Sequence, residues 1–201
     1  YFMFRQITFI SLAAALVLSL GGCAHPISMA PNLDAIPTAA GKSTPSKKKV
    51  GFYIADSATA HEVTTPGGGG DKVRYFPYRD LEPGLYKALG TVFRDVTKIK
   101  NPADAAEIRA SGIQLLITPE ITTDSSSSSP FTWPPTAFTV TLVCQIKDAQ
   151  GTTLDTVRVE GRGEAEFSEF KSNFSLAAAR ASDDALAKLM AALRRSRALA
   201  K

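Results

Sequence analysis

Apolar residues return every four positions between residues 80 and 94, as Leu81, Leu85, Leu89 and Phe93, with Val92 beside them. A single stripe at that spacing predicts a helix packed along one side. Asp80 and Glu82 suit its positive end, and Pro83 fits a first turn. Further along the period changes to two. Phe138, Val140, Leu142, Cys144 and Ile146 alternate with Thr139, Thr141, Gln145 and Lys147, the pattern of a strand buried on one side. After a turn at 148–151, a return strand over 153–167 puts Val157, Val159, Gly161 and Gly163 on one side. Arg158, Glu160, Arg162, Glu164 and Glu166 fall on the other, as a solvated face with cross-strand ion pairs or a subunit contact. Glycines on the inner side leave room for a closely packed helix.

Shorter apolar runs complete the pattern. Residues 50–55 (VGFYIA) read as a buried strand, 96–99 as a short one, and 113–117 (IQLLI) as a central one. Asn101 as cap and Pro102 at the first position open a helix that Gly112 closes. A final helix spans 173–199, with Leu186, Leu189, Met190 and Leu193 as its core stripe and a basic end at the negative pole. The predicted fold class is α/β (α+β), in the order β-α-β-α-β-β-β-α: a mixed sheet of about five strands with helices packed on it. Residues 57–78, with four consecutive glycines at 67–70, read as a long loop with room for a short strand at 72–76. Residues 122–136 read as a Ser-rich and Pro-rich loop carrying Phe131 and Trp133. Those rings either fold back onto the sheet or project toward a membrane interface or a partner, a boundary that tryptophan favours.

The first segment reads as an address. Met3 reads as the start, with Tyr1 and Phe2 upstream of it; Arg5 is a positive n-region, and residues 8–20 are apolar. Thirteen residues suit a signal peptide and fall short of the roughly 20 of a membrane span. Leu20-Gly21-Gly22-Cys23 resembles the lipobox of bacterial lipoproteins, in which small residues fit the peptidase cleft and the cysteine thiol accepts diacylglycerol. Two or three acyl chains, at about 0.8 kcal/mol per buried methylene, hold such a protein firmly. By the same resemblance, Ala24 in place of aspartate after the cysteine implies the periplasmic face of the outer membrane. The expected organisation is a signal peptide over 1–22, lipidated Cys23 with a Pro- and Ser-rich flexible tether over 23–49, and a periplasmic domain over 50–201.

Composition narrows the chemistry. Hydrophobic content of 44% and charge of 21% fit an ordinary soluble domain, and its length is enough to bury a core without disulfides. A net charge of +4 would suit nucleic acid, anionic lipid or anionic glycan, but it calls for nothing beyond solubility, and no nucleic-acid partner is expected. With Cys23 lipidated, Cys144 has no partner for a disulfide and reads as a small buried hydrophobe rather than a reactive thiol. Gly41-Lys42-Ser43-Thr44 is not a P-loop: Ile36 stands where its first glycine belongs, and Pro45 opposes a following helix. His25 and His61 belong to no metal or catalytic motif, so no enzyme, metal or cofactor is expected beyond the lipid.

With VGFYIAD at 50–56, LEPGLYKALGTVF at 81–93, IQLLITPEIT at 113–122, the hairpin and the basic closing helix, the chain resembles small periplasmic lipoproteins with a fold like the N-terminal domain of TolB, the YajG, CsgG and PelC-like group. The resemblance covers about 150 residues and transfers no functional residue, because a scaffold is shared more than a site. It implies a non-catalytic accessory or assembly factor of an envelope export system for polysaccharide or protein, working with an envelope protein partner, alone or as a homo-oligomer. The alternative is a regulatory lipoprotein that activates a peptidoglycan synthase. Direct binding of anionic glycan is a third reading.

Overall fold

The computed structural model describes residues 24–37, 44–128 and 134–199. Its larger sheet contains β2 (Ser46–Phe52), β5 (Phe93–Lys98), β6 (Leu115–Ser126), β7 (Ala137–Asp148) and β8 (Thr153–Glu164), in the order β5-β2-β6-β7-β8. β2 runs parallel to both neighbours, and β6, β7 and β8 form an antiparallel meander. Two helices cover one face of it, α2 (Pro77–Val92) and α5 (Leu176–Arg194). The predicted order β-α-β-α-β-β-β-α is β2, α2, β5, the short helix α3 (Ala105–Ala110), β6, β7, β8 and α5. Fold class and strand number are therefore as the pattern predicts. A second sheet, β1 (Ala24–Pro26), β4 (Lys72–Tyr75) and β3 (Val63–Pro66), caps one end of the core.

The periodicities account for the core. Leu81, Leu85, Leu89 and Phe93 are all buried, as are Leu186, Leu189, Met190 and Leu193. They meet the even-numbered side chains of β7 and the outer members of the parallel pair, Val50 and Phe52. The other face is covered only in part. There Ile108 of α3 packs with Ile99, Ile113 and Leu116 in a small separate cluster. Leu116 points away from its neighbours Leu115 and Ile117, as strand alternation requires.

The inner glycines do allow close packing. A Cβ on Gly161 would stand 2.2 Å from the carbonyl oxygen of Ala181, and one on Gly163 would stand 2.1 Å from that of Ala177. α5 answers with small residues, Ala177, Ala178, Ala181 and Ala185, all buried. Two backbones approach with no side chain between them.

Several boundaries differ from expectation. α2 begins at Pro77, so Pro83 lies in its second turn. α3 starts at Ala105 rather than Pro102, with Asp104 in place of Asn101 as its cap, accepting from the backbone N–H groups of Ala106 and Glu107. β6 runs on to Ser126, claiming the first five residues of the expected 122–136 loop, because it pairs with β7 along its whole length. The expected 57–78 loop holds a short helix, α1 (Asp56–Thr59), and the β3–β4 hairpin, whose turn uses positive φ at Gly69 and Gly70. The closing helix ends at Arg194 and is preceded by a single turn, α4 (Phe167–Phe170).

Hydroxyl groups join the two sheets. Tyr75, 1% exposed, donates from its phenol to Thr123 Oγ1 at 2.7 Å and lies 3.2 Å from Thr65 Oγ1. Thr65 Oγ1 is 2.6 Å from Ser125 Oγ, which donates to the Pro66 carbonyl at 2.6 Å. The Tyr75 ring meets Phe138 edge-on at 5.3 Å. Each buried hydroxyl has a partner, so the contact between the sheets avoids the cost of stripping water from an unpaired polar group.

Replacing Gly161 with alanine is expected to destabilise the domain by about 1–3 kcal/mol through overpacking. Gly90 in α2 has nothing within 4 Å of the site of a Cβ. Gly90→Ala is accordingly expected to stabilise by about 0.5–1 kcal/mol, since glycine inside a helix costs conformational entropy. Denaturant midpoints of the two variants, at unchanged slope, check both signs.

Candidate functional site

The segment expected to be a tether is built into the domain. β1 pairs with β4 in parallel register, Ala24 opposite Lys72 and Pro26 opposite Arg74. The chain then runs down the groove between α2 and α5 as a strap. Asp80, at the start of α2, accepts from Ser28 Oγ at 3.1 Å and from the Met29 backbone N–H at 3.0 Å. Ser182 donates to the Met29 carbonyl at 2.6 Å, and Asp183 accepts from the Asn32 N–H at 2.8 Å. Met29 is completely buried, Ile36 is 5% exposed, and Pro31 presses on Gly84, where a Cβ would stand 2.5 Å from its ring. The cause is chemical: a Pro- and Ser-rich stretch still carries Ile27, Met29 and Ile36, three apolar anchors that a groove between two helices can take up. The polar groups holding the strap were legible only in part. Asp80 has a second use as a favourable charge at a helix start. Ser182 stands on the apolar stripe between Ala178 and Leu186, and that misplaced polar residue is the signal that something other than core packs there.

Cys23, Phe131 and Trp133 lie outside the described residues. Their neighbours are placed. Ala24 follows Cys23 directly, at the β1–β4 end of the small sheet. Ser128 donates from its backbone N–H to Thr136 Oγ1 at 3.0 Å, just past the end of β6 and before the start of β7. The Ser125–Pro66 bond places that same end beside the β3–β4 turn. Ala24, the β3–β4 turn and Ser128 therefore lie toward one end of the described fold.

The other reactive candidates separate. Cys144 is 1% exposed, and burial pushes its thiol up to about 12. At neutral pH it is a thiol without thiolate character. His25 Nε2 lies 3.3 Å from Asp71 across the small sheet, and His61 is exposed on the loop after α1. Two open clefts flank Tyr53 at the carboxyl ends of β2 and β5. One, of about 480 Å³, is lined by Leu116, Thr118, Glu120, Gln145 and Lys147 among others; the second, of about 530 Å³, by Asp56, Lys98 and Lys100 among others. Among the described residues, no group of three or more His, Cys, Asp and Glu could hold a metal, and no helix is long and apolar enough to cross a membrane.

No family model and no curated protein matches the sequence. Among solved structures, the chain is similar to protein XCC0632 from Xanthomonas campestris, which carries the family model DUF330: TM-score 0.52 and 11% identity, covering 80% of this chain and 90% of that one. That likeness shows a shared α/β fold. A protein of Caulobacter crescentus CB15 described as a proposed lipoprotein aligns with TM-score 0.34 and 13% identity over 66% of this chain and 86% of its own.

Asp80→Ala is expected to cost about 1–3 kcal/mol, because it strands the donors of Ser28 and Met29. Hydrogen exchange should rise selectively over 27–33. Cys144 is expected to resist iodoacetamide at pH 8 in the folded protein and to react fully in guanidinium.

Proposed function

We propose that the chain is a lipoprotein anchored through diacylglycerol on Cys23, which serves the cell envelope by contact rather than catalysis. One observation carries the reading: the residue that follows the expected processing site is firmly held in the fold. Cleavage before Cys23 would make it the first residue, and Ala24, the next, stands in β1 paired with Lys72 of β4. A lipid on Cys23 would therefore be fixed to an ordered strand.

Within that reading, the chain is an accessory or assembly factor of an envelope export system, of the YajG, CsgG and PelC-like kind, held at the periplasmic face of the outer membrane. Ala24 after the cysteine supports that address. The strap works against the alternative of a regulator that crosses the periplasm to a peptidoglycan synthase. A free chain of about 25 residues has a typical reach of roughly 25–30 Å. With Ala24–Pro26 paired and Met29 to Ile36 docked, that reach is lost.

Cys23→Ser is expected to abolish incorporation of labelled palmitate and to move the protein from the membrane to the soluble fraction, with the folded domain's thermal midpoint unchanged. Palmitate labelling and membrane retention equal to wild type would refute the anchor.

A further inference from the structure

The two ends of the molecule differ in chemistry, and the position of Ala24 says which one meets lipid. One end is formed by Ala24, Lys72, the β3–β4 turn, and the residues where β6 passes to β7 and β8 finishes, Ser126, Ala137 and Glu164. The other end lies beyond Leu115, Asp148 and Thr153. It carries the start of β2 with Lys47 and Lys48, the start of β5 with Arg94, and the end of α5 with Arg194, Arg195 and Arg197. Contacts draw this set together. Lys48 Nζ donates to the Ala198 carbonyl at 3.0 Å, and Arg194 reaches the Thr91 carbonyl at 3.5 Å. Among the described residues two acids face the group: Asp155, engaged by Ser196 at 2.7 Å and by Arg197 at 3.5 Å, and Asp95, paired with Lys49 at 3.2 Å, so the basic residues outnumber them. Counting along β6 and back through β2, the ends are separated by on the order of 40 Å at about 3.3 Å per residue.

We infer that the end built by Ala24, the β3–β4 turn, the end of β6 and the start of β7 sits directly on the bilayer, and that the basic end points away from it. The inference rests on lipidation of Cys23. Consecutive Cα atoms are about 3.8 Å apart, so a lipid-bearing Cys23 stays within one residue of a strand end. That strand is held by its ladder to β4 and by the strap below it, where Asp80, Ser182 and Asp183 hold Ser28, Met29 and Asn32. The anchor therefore has no slack with which to turn the domain over. The basic cluster, which on charge alone would be assigned to anionic headgroups, is instead offered to whatever stands farther from the membrane. On the lipid side Lys72 is accompanied by Asp71, paired with His25, and Arg74 is paired with Glu62 at 3.4 Å. That end has no comparable excess of positive charge.

The test uses the full lipidated protein in vesicles of phosphatidylethanolamine and phosphatidylglycerol that contain a headgroup-attached energy acceptor. A donor dye is placed on Lys72→Cys or on Arg195→Cys; Cys144 is buried and stays unlabelled. Transfer from position 72 is expected to be several-fold higher than from position 195. Vesicle-bound protein with equal or reversed transfer overturns the orientation. Failure of the protein to float with the vesicles overturns the lipid anchor itself, so the two failures are distinct. Inserting a flexible Gly-Ser segment between Cys23 and Ala24 is expected to erase the contrast while flotation persists. A contrast that survives the insertion overturns the strap as its cause.

Discussion

The close approach of α5 to β8 is the constraint from which the rest of the arrangement follows. Backbone meets backbone at Gly161 and Gly163, and a methyl group at either position would overlap a carbonyl of α5. Seated that deeply, α5 leaves a groove beside α2 that is just wide enough for a peptide. The width is set a second time at Gly84, where Pro31 and Leu186 converge on a site with no room for a Cβ. Enlarging any of these three glycines would move a helix, and the helix carries Ser182 and Asp183 with it. The strap, and through it the position of β1, depends on contacts of α5 and β8 that lie a hundred residues and more away in the chain.

The forces holding that strap are of the economical kind. Burying Met29, Ile27 and Ile36 contributes on the order of 1.5–3 kcal/mol per large side chain, and backbone groups that enter the groove find Asp80, Ser182 and Asp183 waiting. The exposed ion pairs contribute much less. Lys188–Asp184, Arg162–Glu160 and Lys49–Asp95 are all well solvated, and pairs of this type contribute from nothing to about 1 kcal/mol. Arg180 makes a two-pronged contact with Glu169 at 2.7 and 3.1 Å, which holds that carboxyl down at about 2. Because the folded value is depressed, whatever this pair contributes is present above the ordinary carboxylate range and is lost as pH falls toward 2. It ties the turn of α4 to α5, close to the end of β8.

Much of the fold was written in local periodicity. The fourfold stripe of Leu81, Leu85 and Leu89 and the alternation from Phe138 to Ile146 are buried as read, because each follows from the geometry of one element. The role of Gly161 and Gly163 was also legible, since a strand that places glycine on its inner side has given up packing volume for proximity. What escaped was anything settled by a distant partner. Thr122 to Ser126 look like loop by composition, yet the long register with β7 makes them strand. Residues 24–36 look like a linker, because two prolines interrupt them and no regular period runs through Ile27, Met29, Leu33 and Ile36. Phe131, Trp133 and Cys23 stand outside the described residues.

By itself the sequence determined the class of fold, the order of its main elements and the burial of Cys144. These are properties of short windows, where spacing and residue type suffice. Tertiary structure alone decided that residues 24–36 form a docked strap, and that the basic residues of β2 and α5 gather at the far end from Ala24. Such facts depend on which surfaces α2, α5 and the small sheet present to one another, and a window of neighbouring residues carries no record of the groove they form together.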